Sequence, residues 1–534
     1  MAECAFPRTH KTPAVAVLPS DSGCDVAFVS ILHDGLEDVL GLRPLPGSMN
    51  DLQLEQIIDA VTAGYQEYDL KPLFHAPLVD EGAVIYRQSI SRDLEGGPMN
   101  EAVTAFSAGM REVRATLKVA GRLHYRYQKM EVFLTAVEQY LTAVTYLDAA
   151  LARAHTRSPG FDALKDYLRL YLSSASVTGL QDETRRLRRL LAGVAYTVRI
   201  NGGHVTVSRK GNEPDYTAEV EATFRRFRQG NPKDYRSVFR NELGMNHVEA
   251  MVLDRVAVLF SETFTELGGF CDRHADFQDP VIVRFDREVQ FYLSYLQHVH
   301  GLRQTGLTFT YPIFSEASKN ISGSDVFDLA LAGTLVAEGR PVVLNDFELA
   351  GPERILVISG PNQGGKTTFA RTIGQLHYLA ALGLPVPASR ARLFLPDRIF
   401  THFEREEKQA DLRGKLNDEL VRIHGILSIA TPRSIIILNE IFTSTTLQDA
   451  VLLSGKILQN IINLDLICVC VTFIDELSRL SPATVSMVST VDPSNPTVRT
   501  FKIVRRPADG LAYAKILARN YGLTYPELKG RITP

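Results

Sequence analysis

Apolar residues recur at three- and four-residue spacing through residues 100–154, a stretch with no proline and two glycines, and this predicts long helices. Ser158-Pro159-Gly160 interrupts the pattern, and Phe161–Leu191 resumes it. Upstream, Asp51–Tyr65 has helical periodicity behind an aspartate suited to capping. The period then shortens to two. Tyr196–Ile200 and His204–Ser208 flank Asn201-Gly202-Gly203, a β-hairpin signal. Helical spacing returns near Asn246–Leu267 and Arg287–His300. From Arg354 onward, short apolar runs alternate with helical segments, which predicts a parallel α/β sheet. Residues 1–25 are polar and aperiodic and are expected to form a disordered leader.

Composition changes this picture little. The 534 residues are 45% hydrophobic, which excludes a wholly disordered chain and suggests two to four domains. Lys and Arg number 58 against 61 Asp and Glu, a net charge of −3, so any nucleic-acid binding must come from a local basic face. Such faces are offered by Arg185, Arg186, Arg188 and Arg189, by Arg199, Arg209 and Lys210 on or beside the hairpin, and by Arg225, Arg226 and Arg228. The same arginines could instead pair with Asp182, Glu183, Glu219 and Glu221. The five cysteines are scattered and form no disulfide framework, and Cys468 and Cys470 read as core thiols. No secretory signal and no apolar run of about 20 residues is present, so a cytoplasmic protein without membrane contact is expected. His298 and His300, two apart, cannot share a helical face and mark no metal site.

The chemistry concentrates at Arg354–Leu376. An apolar strand at Ile355–Ile358 leads into Gly360, Pro361, Asn362, Gln363, Gly364, Gly365, Lys366 and Thr367, followed by a helix from Thr368. This fits G-x-x-x-x-G-K followed by Thr, in the strand–loop–helix context of a phosphate-binding loop. The glycines let backbone amides wrap a phosphate, Lys366 would reach the β- and γ-phosphates, and Thr367 would ligate Mg²⁺. A second apolar strand, Ser434–Leu438, ends in Asn439 and Glu440. Asn439 is a neutral candidate for holding Mg²⁺, and Glu440 a candidate general base. ATP and Mg²⁺ are the implied ligands.

These motifs resemble the MutS family of DNA-binding ATPases. Gly360–Thr368 reads GPNQGGKTT, with Gln363 where that family usually has Met. Leu382–Ala388, Asp397–Thr401, Ser434–Thr446 and Phe501–Leu528 resemble four further motifs of the family, in the same order; Phe74–Leu78 and Tyr86–Gln88 look like the start of its lever domain. The resemblance implies a P-loop ATPase domain with an ABC-type parallel sheet at residues 311–534. Before it would lie a mainly α-helical lever domain, 26–310, with a reduced clamp-like β insert near 194–211. It also implies a homodimer in which a signature loop completes the partner's ATP site. Gly414 and Lys415 stand where Ser and Thr are usual, so Lys415 could act by charge or be a solvated lysine. Phe473 replaces a switch histidine and cannot hydrogen-bond to phosphate, and together with Asn439 this predicts slow hydrolysis. Residues 1–99 contain no Phe-x-Glu wedge, and the expectation is a chain with neither the mismatch-reading front domain nor the C-terminal dimerisation element. The implied function is an ATP-gated dimeric clamp on DNA structures in repair or recombination; the alternative is a slow ATP-sensing scaffold that docks protein partners.

Overall fold

The computed structural model describes residues 28, 30–34, 46–211, 245–315, 318–404, 414–492, 494–495, 498–508, 525 and 529. They divide into two compact units. The first comprises Phe28, Gly96–Thr156 and Asp162–Asp286, and the second Val29–Glu95, Arg157–Phe161 and Arg287–Pro534.

The first unit is mainly helical. Gly97–Arg122 and Arg126–Arg153 run as paired helices, and Leu123 turns the chain with extended backbone (ψ 148°). The pair approaches closely: a Cβ on Gly109 would lie 2.9 Å from the Ala143 Cβ. The break falls where sequence spacing predicts continuous helix, because neither proline nor a capping residue marks it. Two other long runs are also broken. Ser174 ends one helix and caps Ala175–Ala192 by accepting from the Val177 amide at 3.4 Å. Phe260 separates His247–Leu259 from Ser261–Arg273. Strands β1 (Tyr196–Asn201) and β2 (His204–Arg209) form the antiparallel hairpin, turning at Gly202 and Gly203, both with positive φ.

The second unit contains two sheets. A four-stranded mixed sheet has the order β3 (Ile313–Ser315), β7 (Arg390–Phe394), β4 (Ile321–Val326), β5 (Asn345–Leu349). The six-stranded sheet runs β12 (Arg499–Arg505), β11 (Thr484–Val491), β6 (Ile355–Ser359), β10 (Ile467–Val471), β9 (Ile435–Asn439), β8 (Ile399–His402). All its neighbours are parallel except β12, which is antiparallel to β11.

Strands β6, β9 and β10 are continuously apolar because both faces are covered. Ile355, Val357, Ile436, Leu438, Cys468 and Cys470 pack with Ile423, Leu458 and Ile461 from the helices Lys415–Ile429 and Leu447–Asn463. The opposite face meets the helix Lys366–Ala381, where a Cβ on Gly374 would lie 2.7 Å from Ile437 Cδ1. Earlier chain anchors that helix: Tyr378 donates to the Phe74 carbonyl at 2.7 Å, and Gln375 to the Leu52 carbonyl at 2.9 Å. The α/β class follows from this arrangement. Cys468 and Cys470 are buried in the core as free thiols, and burial pushes the Cys470 thiol up to about 12. No described helix is long and apolar enough to cross a membrane.

Candidate functional site

Three parallel strands deliver side chains to one edge of the six-stranded sheet. β6 runs into the glycine loop, β9 ends at Asn439 and Glu440, and β10 ends just before Thr472 and Phe473. The edge is the carboxyl end of the strands, where open α/β sheets bind ligands.

The loop owes its shape to its glycines. Gly360 and Gly365 take φ of 119° and 88°, and Gln363 also has a left-handed φ of 58°. A Cβ on Gly364 would sit 2.3 Å from Ser489 Oγ, so the neighbouring strand β11 leaves no room for one. Ser489 instead donates to the Gly364 carbonyl at 2.7 Å, and Arg499 Nε donates to the Asn362 carbonyl at 3.1 Å. The helix that follows starts at Lys366 with no side-chain cap and no acidic residue in its first turn. Its free amides and positive end therefore remain available to an anion.

Lys366 is buried at the base of the loop. Its Nζ donates to the Gly360 carbonyl at 2.9 Å and to the Pro361 carbonyl at 3.4 Å. Glu440 Oε1 lies 3.8 Å away, and the Phe473 ring centroid 4.0 Å away. Burial pushes the Lys366 ammonium below its ordinary value; Glu440 opposes this and Arg499 adds to it. Burial likewise pushes the Glu440 carboxyl up, with Lys366 opposing and Glu404 reinforcing. For both members of the pair, desolvation outweighs mutual attraction. Thr367 Oγ1 donates to Asn439 Oδ1 at 2.8 Å, which joins the helix start to the end of β9.

The structure thus brings together Lys366, Thr367, Asn439, Glu440 and Phe473, drawn from three segments. Gly414 precedes the helix Lys415–Ile429, and Lys415 at its first position is paired with Glu404. Ser489, Arg499 and Glu404 were not given a site role by sequence, because they reach the site from distant segments and carry no local motif; Glu419 follows Gly414 and Lys415 in the segment compared with the signature loop, but no role was read for it. Among the described residues no group of three or more His, Cys, Asp or Glu could hold a metal.

The basic residues of the first unit are arranged differently. Arg185 pairs with Asp182 at 3.1 Å, Arg186 with Glu266 at 3.0 Å, and Arg188 with Glu131 and Glu138 at 3.1 and 2.7 Å. Arg209 donates to the Leu259 carbonyl and lies over the Phe260 ring at 4.9 Å. Arg199 and Lys210 are exposed on and beside the hairpin. Arg225, Arg226 and Arg228 lie outside the described residues, as do the leader 1–25 and the closing motif from residue 509 to 524.

The MutS domain V family matches residues 356–524, which contain the glycine loop and the strand ending at Glu440. This part of the chain is similar to the MutS family. Over 201 residues it is 31% identical to the DNA mismatch repair protein MutS of Erythrobacter litoralis, covering 37% of this chain and 22% of that protein. The protein of the same name from Zymomonas mobilis is 34% identical over 148 residues, covering 28% and 17%. That of Shouchella clausii is 31% identical over 202 residues, covering 37% and 22%. The chain spans about a fifth of the length of these MutS relatives.

Proposed function

We propose that this chain is an ATP-dependent DNA-binding protein of the MutS type. Two copies would form an ATP-gated clamp that acts on DNA structures in repair or recombination without reading mispairs through the family's wedge. The ATP chemistry is assigned to residues 311–534 as a P-loop ATPase domain. The DNA-facing lever is assigned to the helices of 26–310, with the hairpin near 194–211 as its tip. Arg199, Arg209, Lys210, Arg225, Arg226 and Arg228 are the residues assigned to DNA phosphates.

One juxtaposition carries the reading: Lys366 at the head of an uncapped helix, 3.8 Å from Glu440, beside the Thr367–Asn439 pair. The amides of Gly360–Thr368 would wrap the β- and γ-phosphates, and Lys366 would exchange its loop carbonyls for phosphate oxygens. The Thr367 hydroxyl and Asn439 amide oxygen are hard oxygen donors of the kind Mg²⁺ takes, and together with phosphate oxygens they would hold it. Bound Mg²⁺ would offset phosphate charge. Glu440 would accept a proton from a water whose oxygen attacks the γ-phosphorus. The bond to the β,γ-bridging oxygen then breaks, giving ADP and phosphate. Gly414 and Lys415 of a second copy would complete the site at the γ-phosphate.

Analytical ultracentrifugation of the full chain with and without ATP tests the clamp. ATP-dependent dimerisation and nucleotide-sensitive DNA binding are expected. Tight DNA binding that ignores nucleotide would overturn gating. A second reading is favoured by two observations: Asn439 brings no charge to the end of β9, and the Phe473 ring covers the Lys366 ammonium. In that reading the chain is a slow ATP-sensing scaffold docking protein partners. Equal turnover by the native chain and Glu440→Gln would select it.

A further inference from the structure

The turn that carries Glu440 is held in a costly shape. Glu440 and Phe442 both have left-handed backbone, with φ of 54° and 59°. Neither is a glycine, so the surrounding structure must impose the turn. Three ties do so. The Glu440 amide donates to the Val471 carbonyl at 2.9 Å, which fixes the end of β9 to β10. The Ile441 and Phe442 side chains are buried in the hydrophobic cluster with Ile423, Ile474 and Leu477. The Phe442 amide donates to Glu419 Oε2 at 2.9 Å.

Glu419 is a carboxyl in an otherwise apolar setting. It sits on the helix Lys415–Ile429, whose neighbouring positions Leu416, Leu420, Ile423 and Leu427 pack into the same cluster. Only 6% of it is exposed, and burial pushes its carboxyl up, with the Phe442 amide and Lys415 working against the shift. A carboxyl on an apolar helix face is unfavourable unless it makes bonds an apolar residue could not. A second carboxylate repeats the connection: Glu404 is paired with Lys415 at the start of that helix and accepts from Thr443 Oγ1 at 3.4 Å. Both links run between the helix that begins after Gly414 and the turn that follows Glu440.

We propose that Glu419 is a positioning residue for Glu440. It holds the left-handed turn so that the Glu440 carboxylate faces Lys366, and it makes that orientation depend on where the helix behind Gly414 and Lys415 sits. A phosphate engaged by Gly414 and Lys415 would thereby be felt at Glu440. The inference rests on Glu440 being the base of ATP hydrolysis.

The test is steady-state ATP turnover of the full chain for Glu419→Gln, Glu419→Leu and Glu440→Gln. Glutamine retains an oxygen for the Phe442 amide and should stay near the native rate. Leucine fills the apolar site without an acceptor, and kcat should fall roughly 10–100-fold, the scale expected when a catalytic group is misplaced by about 1 Å, with KM little changed. Placing Glu419→Leu in the Glu440→Gln background should add no further loss, because both act through one carboxylate. If Glu419→Leu does not fold, Glu419→Asp carries the same test, since its shorter side chain withdraws the oxygen and keeps the charge. Loss of rate in Glu440→Gln with native kcat in Glu419→Leu would overturn this inference alone. So would a loss in Glu419→Leu that adds fully to Glu440→Gln, or one seen equally in Glu419→Gln. A native rate in Glu440→Gln would overturn the reading of Glu440 and this inference with it.

Discussion

The glycine-loop site and the basic hairpin region are both sets of polar residues, but their side chains have different uses in the fold. At the loop, Lys366, Thr367, Asn439 and Glu440 come from separate segments and converge within hydrogen-bonding or ion-pairing distance. They do so at a helix end that offers free amides. In the first unit, Arg185, Arg186 and Arg188 are paired with carboxylates, and Arg209 is tied to the Leu259 carbonyl. Convergence of unlike groups on one point is what a reaction requires, whereas a run of arginines is equally well explained by local pairing. The proposed ATP chemistry therefore sits at the carboxyl edge of the six-stranded sheet, while Arg199 and Lys210 are exposed on and beside the hairpin.

The largest effect that would break this contrast is at Glu440. Glu440→Gln should lower ATP turnover by about 10²–10⁴-fold, the range of a lost general base, while ATP binding persists. A rate within about twofold of native, in the assay that resolves the native turnover, would remove the chemistry from this edge. A smaller effect concerns the hairpin. If Arg209 or Lys210 contacts a DNA phosphate, its replacement by Ala should reduce the slope of log affinity against log salt by about 0.9. Arg186→Ala, with its guanidinium already held by Glu266, should leave that slope unchanged. Native slopes for both hairpin variants would show that neither Arg209 nor Lys210 contacts a DNA phosphate. The smallest effect is on pH dependence. Burial raises the Glu440 carboxyl, so turnover should fall on acidification with a midpoint above the ordinary glutamate range, as the base becomes protonated. Glu404 contributes to that rise, so Glu404→Gln should move the acid limb to lower pH. An acid limb that stays in place would show that Glu440 does not control it.

The loop was legible because its motif is contiguous: strand, glycines, lysine and helix all lie within residues 355–381. Asn439 and Glu440 were legible as the polar end of an apolar strand. That Asn439 would bond to Thr367 depended on the order of β6, β10 and β9 in the sheet, which no local pattern states. No local pattern states that Glu419 would be buried with its carboxylate accepting from the Phe442 amide. The break after Arg122 carries no proline and no capping residue, so periodicity ran through it. Nor could spacing show that Val29–Glu95 shares a compact unit with strands more than 200 residues downstream, since that association rests on tertiary bonds such as Tyr378 to the Phe74 carbonyl.

The most direct test of the site is an equilibrium titration of the full chain with ATP, native against Lys366→Ala, alongside thermal unfolding of both. Lys366 is the buried cation at the foot of the loop, and a hydrogen bond to a charged group is worth about 1.5–3 kcal/mol. The variant should remain folded and bind ATP roughly 10–100-fold more weakly than the native chain. A folded variant with native ATP affinity would contradict the assignment of Gly360–Thr368 as the nucleotide site.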